Sequence, residues 1–140
     1  MRADENFARV DSESGVIATL FQHPEYSFYS EDLLPNHFFN KENRYIYLAI
    51  CELAKQGITT VDPYNVIQVL ESSDATRRFA EELNVEQLYG FMEASEHICR
   101  NSVEEYKMLA NSVLNAAFRR DTYQQLKECQ ALCFALSLRC

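Results

Sequence analysis

Five cysteines and three histidines are the side chains best suited to chemistry in this chain of 140 residues. His97 and Cys99 lie two positions apart, but a structural zinc site normally needs four ligands, and two candidates do not make one. The cysteines form no Cys-x-x-Cys pair, a common spacing of metal-binding and redox-active thiols. We therefore expect no metal ion and no other cofactor, and we expect free thiols in a reducing cytoplasm.

Residue patterns for catalysis are missing from the sequence as well. A nucleophile and its base would need Cys or Ser near one of His23, His37 and His97, and the spacings support none of them specifically. A carboxylate di-metal site would use Glu-x-x-His pairs, whereas Ala94 stands three positions before His97. With three glycines and no Gly-x-x-x-x-Gly-Lys-Ser/Thr run, no phosphate-binding loop is expected. The sequence thus predicts no catalytic residue.

The balance of charge is acidic, with 21 Asp and Glu against 13 Lys and Arg and a net charge of −8. Only Arg77-Arg78 and Arg119-Arg120 are adjacent basic pairs, and such pairs are typical of solvated helix faces. Nucleic-acid binding needs a clustered cationic surface, and acidity also opposes attachment to an anionic membrane. No apolar run approaches the ~18 residues of a membrane span. We expect neither specific nucleic-acid binding nor a membrane partner, and a basic protein remains a candidate partner.

Aromatic residues cluster in the first third of the chain. The cluster consists of Tyr26, Phe28, Tyr29, Phe38, Phe39, Tyr45 and Tyr47. Single-strand binding proteins stack bases on such rings, but they combine the rings with a positively charged groove. Here four acidic residues accompany the rings, against only Lys41 and Arg44. We therefore interpret the cluster as core packing, with some phenol groups reaching solvent.

Few turn-forming residues interrupt the chain, since it contains three glycines and three prolines, and this favours helices over a many-stranded β fold. Several capping residues precede apolar stripes at helical spacing. The predicted caps are Asp11 or Ser12, Ser30 for a short turn, Asn40, Asp62, Asn84 and Ser102. Gly57 stands where a glycine would end the helix that Asn40 begins. The prediction is an all-α, compact globular bundle of about six helices with a long C-terminal helix.

The C-terminal segment forms the longest predicted helix, because nothing from Val103 to about Ser137 breaks it. One stripe is predicted to pack on the globular body and contains Tyr106, Ala110, Val113 and Ala117. A second stripe lies roughly opposite and has the 3-4-3-4 spacing of paired helices. It contains Leu126, Cys129, Cys133, Leu136 and Cys140. We predict that this second stripe is an association surface, buried between chains or else frayed beyond about residue 125.

These patterns divide the chain into three regions. We expect a flexible arm over residues 1–10, a globular helical head over residues 11–102, and a long helical association element over residues 103–140.

Motifs in the head have the order and spacing of a known family. The motifs are ESGVIA at residues 13–18, LPNHFF at residues 34–39, RYIYLAICELAKQG at residues 44–57, Val61-Asp62 and, later, Tyr106. Over roughly residues 11–125 the sequence resembles the N-terminal domain of bacterial and phage replicative DNA helicases of the DnaB type. Ala18 and Asn65 depart from the glycine and threonine that are usual in that family.

The resemblance implies a non-catalytic domain that serves DNA replication. In such helicases a helical hairpin after the head pairs the N-terminal domains, which form the collar of a hexamer and receive primase or a helicase loader. Residues 103–140 would be the first half of that hairpin. The ATP-dependent motor with its P-loop lies in a separate domain, so we expect the chain to be part of a longer helicase.

The alternative is a stand-alone replication adaptor, or a primase helicase-binding domain, of related fold. The reading frame beyond residue 140 distinguishes the two hypotheses. A linker leading into a P-loop ATPase would support the first, and a stop codon would support the second.

Overall fold

The computed structural model describes the backbone of residues 2–139 and the side chains of residues 12–137. Within that backbone there are six α-helices, two short 3-10 helices at Pro24–Tyr29 and Pro35–His37, and no β-strand. The α-helices are α1 (Arg2–Gln22), α2 (Lys41–Lys55), α3 (Pro63–Glu71), α4 (Asp74–Glu82), α5 (Val85–Ile98) and α6 (Val103–Arg139). The predicted all-α bundle with a long C-terminal helix is confirmed.

Side-chain caps begin three of these helices where the sequence predicted them. The side chain of Asn40 accepts the Asn43 N–H at 3.2 Å and begins α2. Asp62 accepts the Asn65 N–H at 2.8 Å, and the amide oxygen of Asn65 accepts the Asp62 N–H at 3.0 Å, which closes a reciprocal box at α3. The side chain of Asn84 accepts two N–H groups at the start of α5. These bonds satisfy backbone donors that a helix leaves free at its N-terminus.

The end of α2 also agrees with the prediction. Gly57 has a φ of +79°, a backbone conformation that glycine adopts without a steric penalty. The N–H of Gly57 donates to Ala54 O and that of Ile58 donates to Leu53 O, both at 3.0 Å. This pair of bonds is the Schellman motif, which stops a helix by turning the chain away.

The start of α1 differs from the prediction. The helix begins at Arg2 and runs through Asp11 and Ser12, so the cap predicted at those two residues is wrong. No glycine or proline lies among residues 2–10, and each residue added to an existing helix gains a hydrogen bond. Side chains of residues 1–11 lie outside the described set, so the flexible arm over residues 1–10 stays a prediction.

Helix α1 lies at the centre of the head. Five consecutive residues, 16–20, are fully buried, so neighbours cover the helix on every side. These neighbours include α2, α5 and α6. A Cβ atom added to Gly15 would lie 3.1 Å from Cδ1 of Leu109, so the glycine allows α6 to approach α1 closely.

Candidate association surface

The first half of α6 is packed onto the head. The predicted head-facing stripe is buried along its whole length and consists of Tyr106, Ala110, Val113 and Ala117. Helix α6 contacts α1 and both 3-10 helices through this half. At its start, Oγ of Ser102 accepts the Glu105 N–H at 3.5 Å, in the position predicted for the cap. The prediction for this half of the helix is confirmed.

A buried group of hydroxyls fixes α6 to the head. The hydroxyl oxygen of Tyr106 lies 2.8 Å from Oγ of Ser30, and the hydroxyl oxygen of Tyr47 lies 3.1 Å from the same atom. The Tyr47 hydroxyl also donates to Leu33 O at 2.9 Å. Burial raises the pKa of both tyrosines above their ordinary value, because a buried phenolate loses its hydration. The two phenols therefore stay neutral and act as hydrogen-bonding groups.

Ser30 has a different role from the predicted one. It was expected to cap a short turn, but its hydroxyl donates to Ser27 O at 3.1 Å or to a tyrosine. The reason lies in tertiary structure, since the aromatic partners come from α2 and from α6. The sequence around Ser30 does not indicate a contact with Tyr47 or with Tyr106.

Arg120 joins the end of the packed half of α6 to the head. Its Nη2 donates to His37 O at 2.6 Å, and its guanidinium carbon lies 5.5 Å from the centre of the Phe39 ring. The interpretation of Arg119-Arg120 as a solvated pair is therefore wrong for one member, because Arg120 is half-buried while Arg119 is exposed. The pair Arg77-Arg78 is exposed as predicted.

Beyond Arg120, α6 leaves the head. Every residue from 121 to 137 is exposed, a stretch of about 25 Å at 1.5 Å per residue. Many of these side chains are apolar. The exposed large apolar residues in this stretch are Tyr123, Leu126, Leu132, Phe134 and Leu136. This segment thus exposes large apolar side chains to solvent. Exposed apolar patches of this kind are typical of protein–protein interaction surfaces.

The predicted association stripe forms an exposed strip on this projecting segment. Leu126 is 57% exposed and Leu136 is 53% exposed, and the thiols of Cys129 and Cys133 are exposed and free. The fifth member, Cys140, lies outside the described residues. At about 100° per residue this strip points away from the face that carries Tyr106 and the rest of the head-facing stripe. Its role in association is not tested by the structure of one chain and stays a prediction.

The aromatic cluster divides into buried and exposed members. Phe38 and Tyr47 are buried, and their ring centres lie 4.8 Å apart. Phe28, Tyr29 and Phe39 are each more than half exposed, so core packing explains only part of the cluster. These three exposed residues lie within the connection between α1 and α2.

Glu13 is a further residue whose structural role could not be read from the sequence pattern alone. Its carboxylate is 1% exposed and accepts the N–H groups of Phe39 at 3.0 Å and Asn40 at 3.1 Å. This buried carboxylate belongs to α1 and caps the N-terminus of α2. A signal was present, because Glu13 continues the apolar stripe of Val16, Ile17 and Leu20 at helical spacing.

Metal sites and membrane-spanning helices were also sought in the described part of the chain. Among its side chains, no three His, Cys, Asp or Glu residues lie together as metal ligands would. Among its helices, none combines the length and the apolar character that crossing a bilayer requires.

Comparison with known protein families identifies a relationship for most of the chain. The model of a family described as DnaB-like helicase N terminal domain matches residues 5–101, which is more than half of the chain. The matched span ends just before α6 begins at Val103. The comparisons with curated proteins and with solved structures give no match.

Proposed function

The chain belongs to the DnaB-like helicase N-terminal domain family, and we propose that it acts as the non-catalytic association domain of a replicative helicase. In this role α6 joins one subunit to another in the collar of the hexamer. The head receives primase or a helicase loader. Unwinding and ATP hydrolysis belong to a motor domain elsewhere in the helicase, because this chain contains no P-loop sequence.

The projecting half of α6 is the observation that carries the association part of the proposal. It presents apolar side chains around its whole circumference, and every one of positions 121–137 is exposed. An isolated helix of this kind is marginally stable in water, and helices in proteins owe most of their stability to packing. A helix from another subunit would supply that packing.

A crevice on the head supports the docking part of the proposal. It has a volume of about 400 Å³ and lies between the 3-10 helices and α2. Phe28, Leu34 and Leu48 form exposed apolar walls, and the charged lining residues Glu31, Glu52 and Lys55 leave one negative charge in excess. An apolar centre with a polar rim is the usual anatomy of a protein interface. The charge favours a partner segment that is both apolar and basic.

Two measurements test this proposal. Light scattering from about 1 to about 100 µM chain should show a mass that rises with concentration, as mass action requires for a self-associating domain. A chain that stays monomeric throughout would contradict the association role.

Docking is tested by calorimetric titration with the helicase-binding domain of a primase, or with a loader, from the same replicon. Leu48→Glu should weaken binding at least about tenfold, because it places a charge in the apolar crevice. Tyr64→Glu is the matched control, since Tyr64 is 76% exposed and lies on α3, outside the crevice. Equal binding by the two variants would contradict the placement of the partner in this crevice.

A further inference from the structure

The exposed strip on α6 has the same residue pattern in both directions. Its described part is Leu126-x-x-Cys129-x-x-x-Cys133-x-x-Leu136, which is symmetric about Ala131. A second copy lying antiparallel, with a two-fold axis at the height of Ala131, therefore places leucine against leucine and cysteine against cysteine. A self-complementary patch of this kind is what a two-fold symmetric dimer requires. The strip is thus self-complementary, and another copy of the same chain is a partner that fits it.

Charge does not oppose this pairing, although the chain carries a net charge of −8. Only Lys127 and Glu128 are charged among residues 122–137, and their charges cancel. Both lie off the strip, turned by about 100° and 200° from Leu126. Two copies can therefore approach along the strip without bringing like charges together.

The two thiols occupy the centre of this contact. Cys129 and Cys133 are one helical turn apart on the same face, so their Cβ atoms are about 5–6 Å apart. Both are exposed and free. In a tetrahedral zinc site with Zn–S bonds of about 2.3 Å, the sulfur atoms lie about 3.8 Å apart. Two cysteines spaced by one turn reach that separation by rotating towards each other.

One chain supplies only half of such a site. Its described side chains contain no group of three or more suitable ligands, whereas a structural zinc ion is held by four. Two copies joined along the strip bring four thiols to the centre of the contact. A parallel pair in register has the same property, because Cys129 and Cys133 then form two adjacent layers.

We propose that paired chains bind one divalent cation of the zinc class between them, through the thiolates of Cys129 and Cys133 from each copy. On binding, four thiols release four protons and four metal–sulfur bonds form, with no change in oxidation state. The inference rests on the self-association proposed above and deepens it, since the metal clamps the two copies together. Metal supply thereby regulates how firmly the subunits pair.

Cobalt(II) is a suitable probe, because thiolate coordination to it gives intense charge-transfer absorption and tetrahedral geometry gives visible d–d bands. Reduced, metal-free chain is titrated with Co²⁺, followed by Zn²⁺. We expect saturation at one cobalt for every two chains and loss of the bands when zinc is added. Zinc should also lower the concentration at which the dimer forms by at least about tenfold.

Two double variants provide the comparison. Cys129→Ser with Cys133→Ser should abolish the cobalt bands. Cys51→Ser with Cys99→Ser leaves the same number of thiols and should keep them. Binding that survives in the first variant, saturation at one metal per chain, or an intermolecular disulfide as the only product would each overturn the inference.

Light scattering in the presence of a chelator separates the metal site from the association that it rests on. A dimer that forms without metal and shows no cobalt–thiolate bands leaves the proposed association intact and overturns the metal site. A chain that is monomeric with and without metal overturns both.

Discussion

The hydroxyl oxygen of Tyr106 lies 2.8 Å from Oγ of Ser30, a residue 76 positions earlier in the chain. This contact joins the start of α6 to the connection between α1 and α2. Tyr47 adds a bond from α2 to the same serine. The direction in which α6 leaves the head is therefore set by buried hydrogen bonds as well as by apolar packing.

These hydroxyls predict how the free energy of unfolding depends on pH. Burial raises the pKa of Tyr47 and Tyr106 in the folded chain above the value of about 10 in the unfolded chain. Stability from the neutral phenols is therefore fully present below pH about 10. It is lost as pH rises above that value, because the unfolded chain then binds fewer protons.

Tyr106→Phe tests this dependence. Below pH about 9 the variant should lose about 1 kcal/mol, the usual net value of one hydrogen bond. Between pH about 10 and 11 its free energy of unfolding should fall less steeply with pH than that of the wild type. The two slopes should differ by up to about 1.4 kcal/mol per pH unit, because the variant lacks one titrating phenol. Urea unfolding under reducing conditions measures both. Parallel stability curves for the two proteins above pH 10 would contradict the role assigned to the phenols.

Two glycines should respond to alanine with opposite signs. Gly57→Ala should destabilise the chain by about 1 kcal/mol, because φ is +79° there and alanine is strained in that conformation. Gly90→Ala should stabilise it by about 0.5–1 kcal/mol, since Gly90 lies inside α5 and an added Cβ meets no atom within 4 Å. Thermal unfolding of both variants measures the difference. Shifts of the same sign would be inconsistent with the described backbone.

The carboxylate of Glu13 should matter more than any exposed carboxylate. Glu13→Gln replaces one acceptor oxygen by an N–H donor that faces a backbone N–H, so we expect a loss of about 1–3 kcal/mol. Glu93→Gln on the exposed side of α5 is the matched control, with an expected change within about 0.5 kcal/mol. Urea unfolding of the two variants gives the comparison, and equal stabilities would show that Glu13 does not hold α2.

Local chemistry accounts for the parts of the fold that sequence predicted well. The caps at Asn40, Asp62 and Asn84 depend on residues two or three positions away, so their spacing is visible in the sequence. The same is true of Gly57, which ends α2. The head-facing stripe of α6 was predictable because a helix repeats every 3.6 residues.

Tertiary contacts account for the features that the sequence did not reveal. Glu13 bonds to residues 26 and 27 positions away, and Arg120 bonds to His37 across 83 positions. Contacts between residues so far apart in the chain produce no periodic pattern in the sequence. The apolar strip around Leu126 was visible as a pattern in the sequence, and its role in association stays a prediction.

The most direct test of the association role uses charge on opposite faces of the projecting half of α6. Leu126→Glu with Leu136→Glu places two carboxylates on the strip. Ala131→Glu with Ala135→Glu adds the same charge on the opposite face of the same exposed segment. All four changes are at exposed positions, so circular dichroism should remain helical in both variants.

The deciding measurement is the mass of each variant by light scattering at about 100 µM, where a self-associating chain is largely paired. We expect the leucine variant to have the mass of a monomer and the alanine variant to keep the higher mass of the wild type. A wild-type chain that is already monomeric at this concentration, or a leucine variant that associates as the wild type does, would contradict the account.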